Sequence, residues 1–182
     1  MEDLAKTEIL ADELVIFHNS ISSSNQLIAQ AEALNRWEEH SYLLDINGNI
    51  QRYGVTLDEL SSFSRNEIHK NIESYKDFLG YSRHTFEKDN EYFSLHISKY
   101  VDGGGIGAHR DVNISEEDGN YTVIIYLNDE YDGGELGFPD LNIEIKPKSG
   151  DMLVFPNSYL HYAKESWNGA KYLTIFKTQF FK

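Results

Sequence analysis

From residue 92 onward the chain is a succession of short segments in which apolar and polar residues alternate, separated by Gly, Asn and Asp turns. The pattern predicts strands at 92–100, 106–112, 121–128, 134–138, 141–146, 151–155, 159–163 and 171–181. So many short strands in one stretch leave few ways to bury their apolar faces, and a sandwich or jelly roll is the natural one. The first half reads differently. Residues 14–17 (LVIF) predict a short strand, and Ser20, or one of Ser22 to Ser24, supplies an N-cap for a helix running to about Trp37. Leu27, Ile28, Ala31, Leu34 and Trp37 keep its apolar stripe. Thr56-x-x-Glu59 and Ser64-x-x-Glu67 both read as capping boxes. After the second, Ile68, Ile72, Tyr75 and Leu79 fall on one face, and Gly80 is placed to stop the helix. Asn47-Gly48 between apolar runs is a hairpin signal. With no internal repeat, low-complexity stretch or linker, the 182 residues read as one domain, with a supporting part over 1–91 and a β core over 92–182.

Composition removes several classes of function. Hydrophobic residues at 40% exclude a disordered chain, and no apolar run approaches the length that spans a bilayer. The first ten residues, MEDLAKTEIL, are acidic and lack a basic then apolar leader, so no secretory signal is expected in them. The absence of cysteine excludes disulfides, thiolate metal sites and Cys nucleophiles, and fits a reducing cytoplasm, the expected localisation. The sequons at Asn113 and Asn120 then carry no meaning. A net charge of −14 without a basic stripe repels phosphate backbones, so no nucleic-acid partner is expected. No membrane partner is expected either, and no feature of the sequence sets an oligomeric state.

The chemistry concentrates in AHRD at 108–111. His109 and Asp111 stand two positions apart, so on a strand they project to one side while Arg110 points away. A glycine run, Gly103 to Gly105 and then Gly107, lets the backbone turn closely beside them. With His161 the pair makes up two imidazoles and one carboxylate, the donor set that holds iron(II) on one face and leaves the opposite positions open. Zinc accepts the same ligands, but a catalytic zinc site does not account for Lys171 downstream, a basic residue placed to anchor a metal-bound organic acid. Of the other histidines, His96 shares a polar strand face with Ser94, Ser98 and Tyr100 and is a candidate for a substrate pocket. His18, His40, His69 and His84 show no partner pattern and read as surface or capping residues.

The ordered series, a tyrosine-glycine loop from Tyr100, H-x-D, YLND (126–129), GGELGF (133–138), GDMLVFPN (150–157), His161 and Lys171, resembles the 2-oxoglutarate- and iron(II)-dependent dioxygenases, specifically their prolyl 4-hydroxylase-like branch. The resemblance covers roughly 92–181 and implies a double-stranded β-helix, a jelly roll supported by the N-terminal helices. It also implies 2-oxoglutarate and dioxygen as co-reactants, with ascorbate as reductant. Lys171 matches the family's basic residue that pairs with the distal carboxylate of 2-oxoglutarate; Tyr126 matches a tyrosine reaching that carboxylate, and Tyr100 one that lines the same pocket. Because the chain is strongly acidic, such an anion site has to be built locally. Arg110 stands where the family often has a smaller polar residue and is expected to point outward, towards a substrate rim. Lys177 stands near a place where some relatives carry an aromatic.

The expected activity is hydroxylation of an unactivated C–H bond with release of succinate and carbon dioxide. A prolyl residue of a peptide or protein is the leading substrate, and a free amino acid or other small molecule the alternative. A non-catalytic jelly-roll binding module and a nucleic-acid dealkylase are the competing classes. The motif residues bind metal and cosubstrate, so substrate choice falls to the loops 101–107 and 112–120, to His96 and Ser98, and to Arg110. One or both loops are expected to close over the substrate and exclude water.

Overall fold

The structure is a computed structural model and describes residues 6–39, 51–58, 61–86, 95–111 and 120–181. The Asn47-Gly48 turn, His40, Ser94 and the loop residues 112–119 lie outside the described residues.

The first elements are the strands β1 (Thr7–Ala11) and β2 (Leu14–Phe17), helix α1 (Ser24–Leu34), and the strands β3 (Glu38–Glu39) and β4 (Arg52–Leu57). Helix α2 (Ser62–Leu79) follows, then β5 (Arg83–Phe86), β6 (Leu95–Tyr100), β7 (Gly104–His109) and β8 (Tyr121–Tyr126). The chain ends in β9 (Asp132–Gly133), β10 (Leu136–Phe138), β11 (Ile143–Ile145), β12 (Met152–Pro156), β13 (His161–Trp167) and β14 (Lys171–Phe181). Among the described residues these strands form two antiparallel sheets. The larger runs β1-β2-β12-β8-β14-β6-β4-β3 with β5 on β14, and the smaller runs β11-β10-β13-β7 with β9 on β13. No helix among the described residues is long and apolar enough to cross a membrane.

Strand alternation sorts side chains into two cores. On β8, Tyr121, Val123 and Ile125 face the helices, packing with Leu27 and Ala31 of α1 and Ile68, Ile72 and Tyr75 of α2. Ile124 and Tyr126 face the other way, between the sheets, with Leu136 and Phe138 of β10. Strands β2 and β12 divide in the same manner, which is why LVIF and MLVF read as continuous apolar runs: both of their faces are buried. The result is the expected jelly roll with helices covering one sheet.

Local expectations need correction at several points. Helix α1 stops at Leu34 because Asn35 takes a left-handed conformation (φ 46); Trp37 packs on the helix-side core from beyond the helix end. Thr56 belongs to β4, between the buried Val55 and Leu57, and caps nothing; Glu59 is outside the described residues. Helix α2 begins three residues earlier than its Ser64-x-x-Glu67 pattern suggests, since the Ser61 side chain accepts from the Ser64 amide. Glu67 instead caps the other helix. Its carboxylate accepts from the amides of Ser22 and Ser23 (2.9 and 3.3 Å) and from their hydroxyls (2.6 and 2.9 Å), a negative group at the N-terminus of α1. Finally, β1 lies at one edge of the larger sheet where no strand is predicted.

Candidate metal centre

His109 ends β7 and His161 begins β13, and the two are direct cross-strand partners. Pure alternation would place Ile106 and His109 on opposite faces of β7. The register prevents this: Ile106 pairs with Ala163 and His109 with His161, so Gly107 and Ala108 together oppose Tyr162 alone. This β-bulge turns His109 to the inner face, and both it and Ile106 line the interior cavity. The two imidazole rings lie 4.3 Å apart. Each donates its Nδ1–H to the carbonyl two residues back, His109 to Gly107 (2.8 Å) and His161 to Tyr159 (3.0 Å). That fixes the tautomer and leaves each Nε2 lone pair directed at the same space. Burial holds the His161 imidazole below its ordinary pKa, so the ring is neutral, as a ligand must be.

Asp111 lies just beyond the end of β7, so strand alternation alone does not place it. Its Oδ1 is 3.5 Å from His109 Nε2 and its Oδ2 3.8 Å from His161 Nε2. The three donor atoms lie within 4.8 Å of one another, and among the described residues no other group of three such side chains does so. Adjacent donors on one ion with bonds of about 2.1 Å stand about 3 Å apart, so little closure is needed. Two neutral imidazoles and one carboxylate fit iron(II). Thr122 Oγ1 lies 2.7 Å from Asp111 Oδ2 and holds that carboxylate.

A cavity of about 280 Å³ runs from this cluster into the space between the sheets. Its longest wall is β14, whose alternate residues Lys171, Leu173, Ile175 and Lys177 all face it, with Thr122, Ile124 and Tyr126 of β8 alongside. Lys171 is 0% exposed. Its ammonium donates to the Gly134 carbonyl at a long 3.4 Å and stands 5.1 and 5.8 Å from the ring centres of Tyr100 and Tyr131. No carboxylate among the described residues forms an ion pair with it, and burial lowers its pKa to about 8. Tyr126 and Tyr100 line the same cavity and are buried. Burial raises the Tyr126 phenol well above its ordinary value, so its hydroxyl is a donor at neutral pH.

The three candidates for a substrate pocket lie elsewhere. His96 contacts the Thr56 hydroxyl at 3.3 Å and is not part of the cavity wall. Arg110 turns away, as expected, but it is engaged by Asp140 (2.8 Å) and the Ser158 carbonyl. Ser98 is buried behind the wall and accepts from Arg52 Nη2 at 2.9 Å. Arg52 itself lines the cavity, with its guanidinium 5.3 Å from the Tyr100 ring centre. It escapes sequence reasoning because 52–57 gives no strand signal. Thr122 and Asn157 also go unread; YTVIIY reads only as a buried strand.

Residues 95–177 match the 2OG-Fe(II) oxygenase superfamily. A PKHD-type hydroxylase of Stenotrophomonas maltophilia is 31% identical over 99 residues, which covers 49% of this chain and 44% of that protein. The chain spans about half the length, or less, of the curated relatives it matches first. The fold is similar to the viral collagen prolyl hydroxylase from Paramecium Bursaria Chlorella virus-1 in its 2OG complex, with TM-score 0.68 and 16% identity over 92% of this chain and 96% of that one. It is also similar to a Pseudomonas putida prolyl-4-hydroxylase, with TM-score 0.65 and 16% identity over 98% and 96% of the two chains. In both sequence and fold, the chain resembles the 2-oxoglutarate- and iron(II)-dependent dioxygenases of the prolyl hydroxylase-like branch.

Proposed function

We propose that this chain, an oxygenase of the 2-oxoglutarate and iron(II) type by its sequence match and its fold, hydroxylates an unactivated C–H bond of a prolyl residue in a peptide or protein. The observation that carries the reading is the pairing of two features in one cavity: a His109–Asp111–His161 cluster, and a buried Lys171 that has no carboxylate partner among the described residues. A buried ammonium is expensive to hold without a counter-ion, and a dicarboxylate bound at the cluster supplies one. The prolyl substrate is drawn from the relatives, whose names include a viral collagen prolyl hydroxylase and a prolyl hydroxylase in complex with a hypoxia inducible factor peptide fragment.

When bound, iron(II) would supply the chemistry that splits dioxygen, one oxygen atom going to succinate as 2-oxoglutarate loses carbon dioxide and the other to the substrate C–H bond. The chain's own residues set the stage for it. His109, Asp111 and His161 would hold the ion. Lys171 binds the distal carboxylate and the Tyr126 hydroxyl donates a second bond to it. Ile124, Leu136, Leu173 and Ile175 give the cosubstrate an apolar sleeve that keeps water out.

The test is mass spectrometry of proline-containing peptides incubated with iron(II), 2-oxoglutarate and ascorbate. A 16 Da gain on proline with matching succinate release is expected. Oxygen gained by free amino acids but not by peptides would move the activity to small molecules, a reading favoured by Arg52, whose guanidinium suits a free carboxylate. No iron-dependent succinate with any substrate would leave a binding module.

A further inference from the structure

The hydroxyl of Thr122 does more than fill space. Thr122 is 0% exposed and sits on the inner face of β8 between two central strands of the larger sheet, β12 and β14. Its Oγ1 is 2.7 Å from Asp111 Oδ2 and also 2.7 Å from Asn157 Oδ1. A hydroxyl has one proton to give. The carboxylate cannot donate, and one proton cannot serve two acceptor oxygens at 2.7 Å. The proton is therefore assigned to the Asp111 bond, and the Asn157 amide, whose oxygen and nitrogen exchange by a flip of the side chain, is assigned with its N–H towards the hydroxyl oxygen. Asn157 is buried directly after β12, and its own backbone amide donates to the Asn120 carbonyl at 3.0 Å. A relay of fixed groups therefore runs from Asn157 through Thr122 to one oxygen of Asp111.

That arrangement bears on how many coordination positions stay vacant. Both oxygens of Asp111 face the imidazoles, Oδ1 at 3.5 Å from His109 Nε2 and Oδ2 at 3.8 Å from His161 Nε2. Nothing in a bare carboxylate stops it from gripping a metal ion through both oxygens. Ligation through both would take a fourth position on an octahedral ion. A cosubstrate bound through two oxygens would then fill the remainder and leave none for dioxygen. A short hydrogen bond from a fixed donor occupies a lone pair of that oxygen and holds the oxygen turned towards the donor.

We propose that Thr122, oriented by Asn157, is a positioning residue that restricts Asp111 to ligation through Oδ1 alone and so keeps a position vacant for dioxygen. This rests on reading the cluster as an iron(II) and 2-oxoglutarate centre. The test uses the full chain loaded anaerobically with iron(II) and 2-oxoglutarate and titrated with nitric oxide as a dioxygen surrogate, followed by electron paramagnetic resonance. Wild type and Thr122→Ser should form the nitrosyl signal alike. Thr122→Val should bind iron(II) and 2-oxoglutarate but take up nitric oxide at least about tenfold more weakly, the worth of one hydrogen bond to a charged group. Asn157→Leu, which leaves the hydroxyl in place but frees it to rotate, should fall between them and serves as the second variant if Thr122→Val does not fold. Nitric oxide affinity in Thr122→Val within about twofold of wild type, or an Asn157→Leu variant indistinguishable from wild type when Thr122→Val is unfolded, would overturn the proposal. Failure of the wild type to bind iron(II) or 2-oxoglutarate at all is a different result and would overturn the underlying reading of the site.

Discussion

Replacing Lys171 with methionine should make the protein more stable and less able to bind its cosubstrate. Lys171 is 0% exposed and its pKa falls from 10.5 to about 8 through burial. At about 1.36 kcal/mol per pH unit, that fall corresponds to roughly 3 kcal/mol by which the pocket disfavours the charged form. At neutral pH the lysine is still charged, so the empty protein carries this penalty. Methionine has similar length, no charge, and tolerates irregular surroundings. It forfeits the long bond to the Gly134 carbonyl at 3.4 Å and the approach of the ammonium to the Tyr100 and Tyr131 rings. The expected gain without cosubstrate is on the order of 1–3 kcal/mol, a rise of about 2–10 °C in the unfolding midpoint for a chain of this size. With 2-oxoglutarate the order reverses. Wild type gains about 2.7 kcal/mol at a hundredfold excess over Kd, whereas the variant loses on the order of 2–5 kcal/mol of affinity with the ion pair and shows almost no shift. Thermal unfolding with and without 2-oxoglutarate, in the presence of redox-silent manganese(II), reads both effects. A variant less stable than wild type without cosubstrate, or one keeping the full ligand-induced shift, would refute the reasoning.

The same lysine sets a pH dependence. Between about 8 and 10.5 the unfolded chain keeps the proton that folded Lys171 releases, so its contribution to stability rises with pH across that window while 2-oxoglutarate binding weakens. Lys171→Arg should abolish the decline in binding, and a profile flat to pH 10 in wild type would contradict the assignment. His109→Ala, Asp111→Ala or His161→Ala should remove iron(II) binding by calorimetry with the circular dichroism spectrum unchanged; full turnover in His161→Ala would displace it from the site. Tyr126→Phe should weaken 2-oxoglutarate binding by about 0.5–3 kcal/mol, the range for one hydrogen bond to a neutral or charged partner. Glu67→Ala should lower stability by about 1–2 kcal/mol in urea unfolding, since α1 loses its cap, and should leave the KM for 2-oxoglutarate where it was.

What the sequence made legible is what local periodicity controls. The long strand at 171–181 is bounded as expected because its neighbours on both sides impose alternation along its length, and the α2 stripe with Gly80 behind it is equally plain. His109, Asp111, His161, Lys171, Tyr100 and Tyr126 could be assembled because they fall in an ordered motif series. What stayed hidden depends on partners far away in the chain. Glu67 looks like the closing residue of a capping box until the fold sets Ser22 and Ser23 against it. Arg52 reaches the cavity because its cross-strand partner is Tyr100, which in turn pairs with Lys171. The β7 bulge was invisible as well, because Gly107 and Ala108 are extra only by comparison with Tyr162 on the facing strand.

Strand β14 acts as a ruler. Its inward residues recur every second position, so any group it offers to the cavity can move only in steps of two residues, about 6.6 Å. A step of one turns the group to the helix-side core. The carbon–carbon bonds of a bound dicarboxylate are about 1.5 Å each, a much finer graduation. On the proposed reading, the spacing between metal and carboxylate anchor therefore cannot be tuned by sliding the basic residue from Lys171 to a neighbouring site. It can be tuned by changing the length of the side chain at 171, or by drawing a cation from another strand, as Arg52 stands ready to show. An engineer wanting a shorter or longer cosubstrate would alter the reach of that one position and leave the backbone register untouched.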